Sequence, residues 1–194
     1  MAKLFFYYST MNAGKSTSLL QASYNYSERG MKTMLFTARL DNRAGGRIAS
    51  RIGFGADCHL FDHHTQFPAL CLPEKPDCIL VDEAQFLSKE QVRKLAQIVD
   101  EANIPVMCYG LRTDFQGELF PGSAALLAWA DTLSELKTIC YCARKATMVV
   151  RVSPTGVVER DGQQVEIGGN ERYISLCRKH FSESMRSGTC AGWK

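Results

Sequence analysis

No stretch of the 194-residue chain approaches the ~18 consecutive apolar residues that a membrane-crossing helix needs, so a membrane protein is not expected. Charge of one sign is also lacking. Twenty-three basic against 20 acidic side chains leave a formal net charge of +3, and no basic stripe interleaved with aromatics stands out, which argues against nucleic-acid binding. The first residues carry one lysine and an aromatic run, but neither the length nor the small-residue cleavage site of a secretory signal. A cytoplasmic protein is therefore expected, and its eight cysteines should be buried thiols or metal ligands, not disulfides. Internal repeats and low-complexity tracts are missing as well.

What is present is a chain with 45% hydrophobic residues, long enough for one ordinary domain and a small appendage. Residues 3–8 form an apolar-aromatic run that reads as a buried strand. Residues 16–29 carry Leu19, Leu20 and Tyr24 at helical spacing and end at Gly30, and residues 32–38 form a second strand. Strand, turn, helix and strand in that order predict a βαβ unit and a parallel sheet. Further strands are expected at residues 78–81, 105–109 and 132–136, with a short one near Leu60. Helices are expected from Ser88, where Gln91 completes a capping box, and over residues 123–130. Residues 39–76 read as an irregular loop. From Cys140 the texture changes: residues 148–152 and 165–167 suggest the two strands of a hairpin, and a domain boundary is expected near residues 136–139. The tail, residues 182–194, is small and polar and is expected to be poorly ordered.

Three clusters carry chemistry. Ser9, Thr10, Met11, Asn12, Ala13, Gly14, Lys15 and Ser16 match the phosphate-loop pattern apart from Ser9, which stands where the pattern has glycine. The run follows a predicted strand and opens a predicted helix, a setting that turns backbone N–H groups and a helix N-terminus toward phosphate. Lys15 would neutralise the phosphates, and the Ser16 hydroxyl would ligate Mg²⁺. The second cluster is Asp82-Glu83 at the end of an apolar strand, followed by Ala84 and Gln85. It lies at the sheet edge where α/β proteins bind ligands, with Asp82 suited to hold Mg²⁺ and Glu83 able to accept a proton. The site expected to hold ATP with Mg²⁺ is thus Ser9 to Thr17 together with Asp82, Glu83, Ala84 and Gln85. The third cluster pairs Cys140 and Cys142 with Cys177 and His180, four soft ligands suited to a closed, structural Zn²⁺ site. The remaining cysteines lack ligand-like spacing, and His59, His63 and His64 read as part of a solvated loop.

Together these elements resemble the cellular, zinc-containing thymidine kinases, above all the bacterial ones. The most specific segment is Gly169-Asn-Glu-Arg-Tyr173-Ile-Ser175-Leu-Cys177-Arg-Lys-His180-Phe181, and the resemblance covers residues 1–181. It implies an α/β fold: a RecA-like P-loop domain with a mostly parallel sheet over residues 1–138, and a small zinc-binding β-hairpin, or lasso, over residues 139–181. The implied reaction moves the γ-phosphoryl of ATP to the 5′-hydroxyl of thymidine, with deoxyuridine a second acceptor. Glu83 would be the general base and Lys15 a catalytic cation, with Arg43 helping to clamp transition-state charge. Met11, Phe86, Leu111, Phe115, Phe120 and Tyr173 would surround the thymine, and the main chain of Ile167, Gly168 and Gly169 would read its edge. The family also implies a homotetramer and feedback inhibition by thymidine triphosphate. Two other classes fit fragments of the pattern. A helicase-type nucleic-acid module would need two motor domains, and a nucleotide-switch ATPase would have no use for an aromatic pocket beside Glu83.

Overall fold

The computed structural model describes residues 1–40, 45–166 and 170–192. Strands β1 (Leu4–Ser9), β2 (Thr33–Ala38), β5 (His59–Phe61), β6 (Cys78–Val81), β7 (Val106–Leu111) and β8 (Thr132–Glu135) build one sheet in the order β5-β2-β6-β7-β1-β8, parallel at every junction. The central strands alternate side chains between two cores, as the period of two requires. Leu4 and Phe6 of β1, Met34 and Phe36 of β2, Ile79 and Val81 of β6 and Val106 and Cys108 of β7 share one cluster. Tyr7, Leu35, Leu80 and Tyr109, each next in sequence to one of these residues, belong to the other.

Helix α1 (Lys15–Ser27) covers the second face through Leu19 and Leu20. Helices α2 (Phe67–Glu74), α3 (Lys89–Ala102) and α4 (Pro121–Trp129) cover the first through Phe67, Cys71, Val92, Leu95, Ala125 and Leu126. α3 starts at the expected capping box: Ser88 Oγ accepts Gln91 N–H at 3.1 Å, and Gln91 Oε1 accepts Ser88 N–H at 3.0 Å. No helix among the described residues is long and apolar enough to cross a membrane.

A smaller unit follows. β9 (Thr138–Ile139) pairs with β10 (Lys145–Ala146), and β11 (Met148–Val152) lies between β12 (Val158–Glu159) and β13 (Tyr173–Leu176), all antiparallel. Helix α5 (Arg178–Ser187) closes a separate core of Val150, Val152, Val158, Leu176 and Cys190, with Phe181 and Met185 packed against it.

Three readings of the sequence need correcting. Residues 39–76 contain α2 and a short hairpin of β3 (Arg47–Ala49) and β4 (Gly55–Asp57) in addition to β5. Pro68 sits in the first turn of α2, where a missing N–H costs nothing. β11 takes β12 and β13 as partners; residues 165–166 form no strand, and residue 167 lies outside the described residues. The Ser153 hydroxyl accepts the N–H groups of Thr155 and Val157 and folds the chain back at once, so Arg151 faces Glu159. Residues 182–187 complete α5 instead of opening a disordered tail. Thr189 then bridges to Val157, and Cys190 is buried.

Candidate functional site

β1 ends at Ser9, and the chain turns into α1 through Asn12 (φ 63°) and Gly14 (φ 78°), both left-handed. Those reversals present successive backbone N–H groups to one side, the geometry of an anion-binding nest at a helix N-terminus. Ser9 itself keeps a negative φ at the strand end, so its Cβ causes no conflict there. Its hydroxyl accepts a hydrogen bond from Lys15 Nζ at 3.2 Å, and Lys15 also donates to Thr10 O at 3.1 Å. Ser16 Oγ donates to Asp82 Oδ2 at 2.7 Å, which joins the loop to the end of β6. Burial pushes the Asp82 carboxyl up to about 7, helped by the neighbouring Glu83 carboxylate and opposed by the Ser16 hydrogen bond.

Glu83 adopts φ 51°, a left-handed conformation that costs a non-glycine residue ~1 kcal/mol. The following 3₁₀ turn, Ala84–Phe86, then carries Gln85 inward. Gln85 Nε2 donates to Glu83 Oε2 at 2.5 Å, and Gln85 Oε1 accepts Leu111 N–H at 3.0 Å. Gly110 is needed beside it, because a Cβ there would come within 3.0 Å of Gln85 N and Oε1.

Two clefts meet at this point. One is lined by the residue 11–17 loop, the β3 segment, Asp82 and Glu83. The other is lined by Met11, Phe86, Leu111, Phe115, Phe120, Val149 and Tyr173, together with Gln164–Glu166. Met11, Glu83 and Leu111 border both. The six side chains proposed from the sequence for an aromatic pocket are thus brought together. Ile167, Gly168, Gly169 and Arg43 lie outside the described residues.

Arg151 escaped the sequence reading. Almost wholly buried, it stacks its guanidinium 3.8 Å from the centre of the Phe115 ring and donates to the Gln163 carbonyl at 2.9 Å. Burial works against its charge, and bonds to the Tyr173 and Glu159 side chains outweigh that cost. Arg172 pairs with Glu159 and Glu166 to complete the network. Gln164 Nε2, in turn, donates to Asp114 Oδ2 at 2.8 Å, which holds the segment over the cleft. A lone arginine inside the apolar run Met148–Val152 was the signal available, since a charge in a buried strand needs partners.

In the smaller unit, Cys140 and Cys142 lie in the tight turn between β9 and β10, Cys177 caps α5, and His180 projects from its first turn. Their ligand atoms all lie within 4.8 Å of one another. Cys140 Sγ and Cys177 Sγ are 3.3 and 3.5 Å from His180 Nδ1, and Cys142 Sγ is 3.9 Å from Cys177 Sγ. Tetrahedral zinc, with Zn–S bonds of ~2.3 Å and Zn–N bonds of ~2.0 Å, spaces its ligands ~3.5–3.8 Å apart, so the donor set fits Zn²⁺. The His180 backbone N–H lowers the Cys177 thiol below its ordinary value despite burial, which favours the thiolate that a metal takes. The other cysteines join no such group among the described residues.

The family model described as thymidine kinase matches residues 2–181 of the chain. Curated relatives named "Thymidine kinase" align over nearly the full length. One from Novosphingobium aromaticivorans is 62% identical over 95% of this chain and 99% of its own. One from Shewanella oneidensis is 62% identical over 94% and 98%, and one from Yersinia pseudotuberculosis is 57% identical over 98% and 100%.

Proposed function

The chain belongs to the thymidine kinase family, ATP-dependent nucleoside kinases, and from that premise we propose how its two clefts divide the reaction. The cleft beside the phosphate loop takes MgATP, and the aromatic cleft takes thymidine. What carries this reading is the position of Glu83, on the border of both clefts and held by Gln85.

In this division Lys15 and the amides of residues 12–17 bind and orient the phosphates. Ser16 and Asp82, already joined by a hydrogen bond, are the residues that would hold Mg²⁺, whose charge offsets that of the transferring phosphoryl group. Glu83 accepts the proton of the nucleoside 5′-hydroxyl. Phe86 and Phe120, whose rings meet edge to face at 6.0 Å, form with Leu111, Phe115 and Tyr173 a slot that excludes the larger purines. By resemblance, Arg43 adds a cation near the phosphates and the main chain of residues 167–169 reads the base edge. Cys140, Cys142, Cys177 and His180 would hold Zn²⁺ as a clasp beneath β13, away from the reacting groups.

In this reading residues 1–138 serve ATP, and residues 139–181 close over the nucleoside. Family membership further supports a cytoplasmic homotetramer inhibited by thymidine triphosphate, and eight cysteines without a disulfide among them fit a reducing compartment. The deciding experiment is ATP-dependent conversion of thymidine to its 5′-monophosphate, with deoxyadenosine as control acceptor. Product from thymidine alone supports the reading, and product from neither nucleoside, with the protein folded, overturns it.

A further inference from the structure

Resting on that reading, we propose that Ser175 is a positioning residue that makes nucleoside binding and ATP binding strengthen each other. β13 presents Tyr173 and Ser175 on one face, while Ile174 and Leu176 turn to the core of the smaller unit. Tyr173 lines the nucleoside cleft. Ser175, two residues on, reaches the phosphate loop: its Oγ donates to the Met11 carbonyl at 2.7 Å. The loop answers in kind, since Thr10 Oγ1 donates to the carbonyl of Met148 on β11 at 3.1 Å.

Each hydroxyl has one proton, and each directs it to a carbonyl of the other unit. The 3.3 Å between the two oxygens is therefore a contact between acceptors, not a third bond. Met148 and Ser175 stand on paired strands, in adjacent positions of the β11–β13 ladder. The bonds thus fix the left-handed turn at Asn12 to the strand that carries Tyr173. A nucleoside that settles Tyr173 settles β13, and β13 in turn holds the carbonyl just before Asn12. A nucleotide that orders the loop steadies β13 by the same bonds, because coupling between two sites is reciprocal.

The test measures thymidine affinity with and without a non-hydrolysable MgATP analogue, in the full-length, zinc-loaded protein. In the wild type the analogue should tighten thymidine on the order of fivefold. In Ser175→Ala that ratio should fall to about one, with thymidine affinity in the absence of nucleotide kept within about twofold, because only one hydroxyl is lost. Ser175→Thr retains the hydroxyl and should restore most of the ratio. It also carries the test if the alanine variant melts early. A ratio unchanged in Ser175→Ala, a wild type without coupling, or a threonine variant that is folded yet uncoupled overturns the proposal. Turnover of thymidine by the wild type is read separately. Its absence would sink the functional reading, whereas turnover with unchanged coupling sinks only the role of Ser175.

Discussion

Gln85 grips Glu83 by one end of its amide and the backbone of β7 by the other, through bonds of 2.5 Å to Glu83 Oε2 and 3.0 Å from Leu111 N–H. The left-handed backbone of Glu83 is therefore held from outside, and its carboxylate is fixed where the two clefts join.

Glu83→Gln keeps the shape of that side chain and removes its basicity. We expect kcat to fall ~10²–10⁴-fold, the range for a lost general base, with thymidine affinity nearly unchanged. Parallel measurements of kcat and thymidine Kd check this. Equal losses in both would assign Glu83 to binding.

Asp82 gives a pH dependence with a definite sign. Its carboxyl stands at about 7 in the fold against an ordinary 3.8, so between those values the folded chain binds a proton that the unfolded chain releases. The stability this group contributes is present below pH 3.8 and is lost as pH rises through 7. Mg²⁺ needs the ionised form, so the affinity for MgATP should rise with pH across the same window. Titration calorimetry from pH 6 to 8 should show the rise, and Asp82→Asn should flatten it.

Stripping metal from the Cys140, Cys142, Cys177 and His180 cluster should act on the smaller unit first. Cys177→Ser, or exhaustive chelation, is expected to lower the melting temperature and to weaken thymidine more than ATP, because β13 runs directly into Cys177. Metal analysis with thermal melts checks this. Unchanged melting of a metal-free protein would show that the cluster is an ordinary group of thiols.

Gly122→Ala is a packing test. A Cβ at Gly122 would lie 2.6 Å from the Leu87 carbonyl oxygen and 2.7 Å from those of Ala84 and Gln85. Backbone atoms cannot swing aside, so a loss of ~1–3 kcal/mol is expected, together with a raised KM for thymidine as the turn bearing Phe86 shifts. Thermal melts and steady-state kinetics on the same preparation would report both effects.

The parts legible in the sequence were those fixed by local rules. The capping box at Ser88 and Gln91, the apolar runs at residues 78–81 and 105–109, and the Gly14-Lys15-Ser16 turn each contain their own cause. α2 was missed because its two prolines read as loop punctuation, although Pro68 is harmless in a first turn and Phe67 and Cys71 supply the packing. β12 was missed because a two-residue strand has no periodicity to detect. Arg151 was missed because its partners, Phe115, Glu159, Gln163 and Tyr173, come together only when the hairpin folds. The tail was misjudged on polarity alone, which overlooks how few apolar side chains, here Phe181, Met185 and Cys190, suffice to dock a ten-residue helix.

The alternation along Tyr173, Ser175 and Cys177 has a consequence for how the gene can vary. A substitution at any one of these positions leaves the spacing of the other two unchanged. Inserting or deleting a single residue among them turns every downstream side chain to the opposite side of the strand. Tyr173 could then line its cleft only if Cys177 abandoned its cluster. Mutational drift can therefore change the letters of this segment but not its length, and a library that varies spacing here should return almost no survivors.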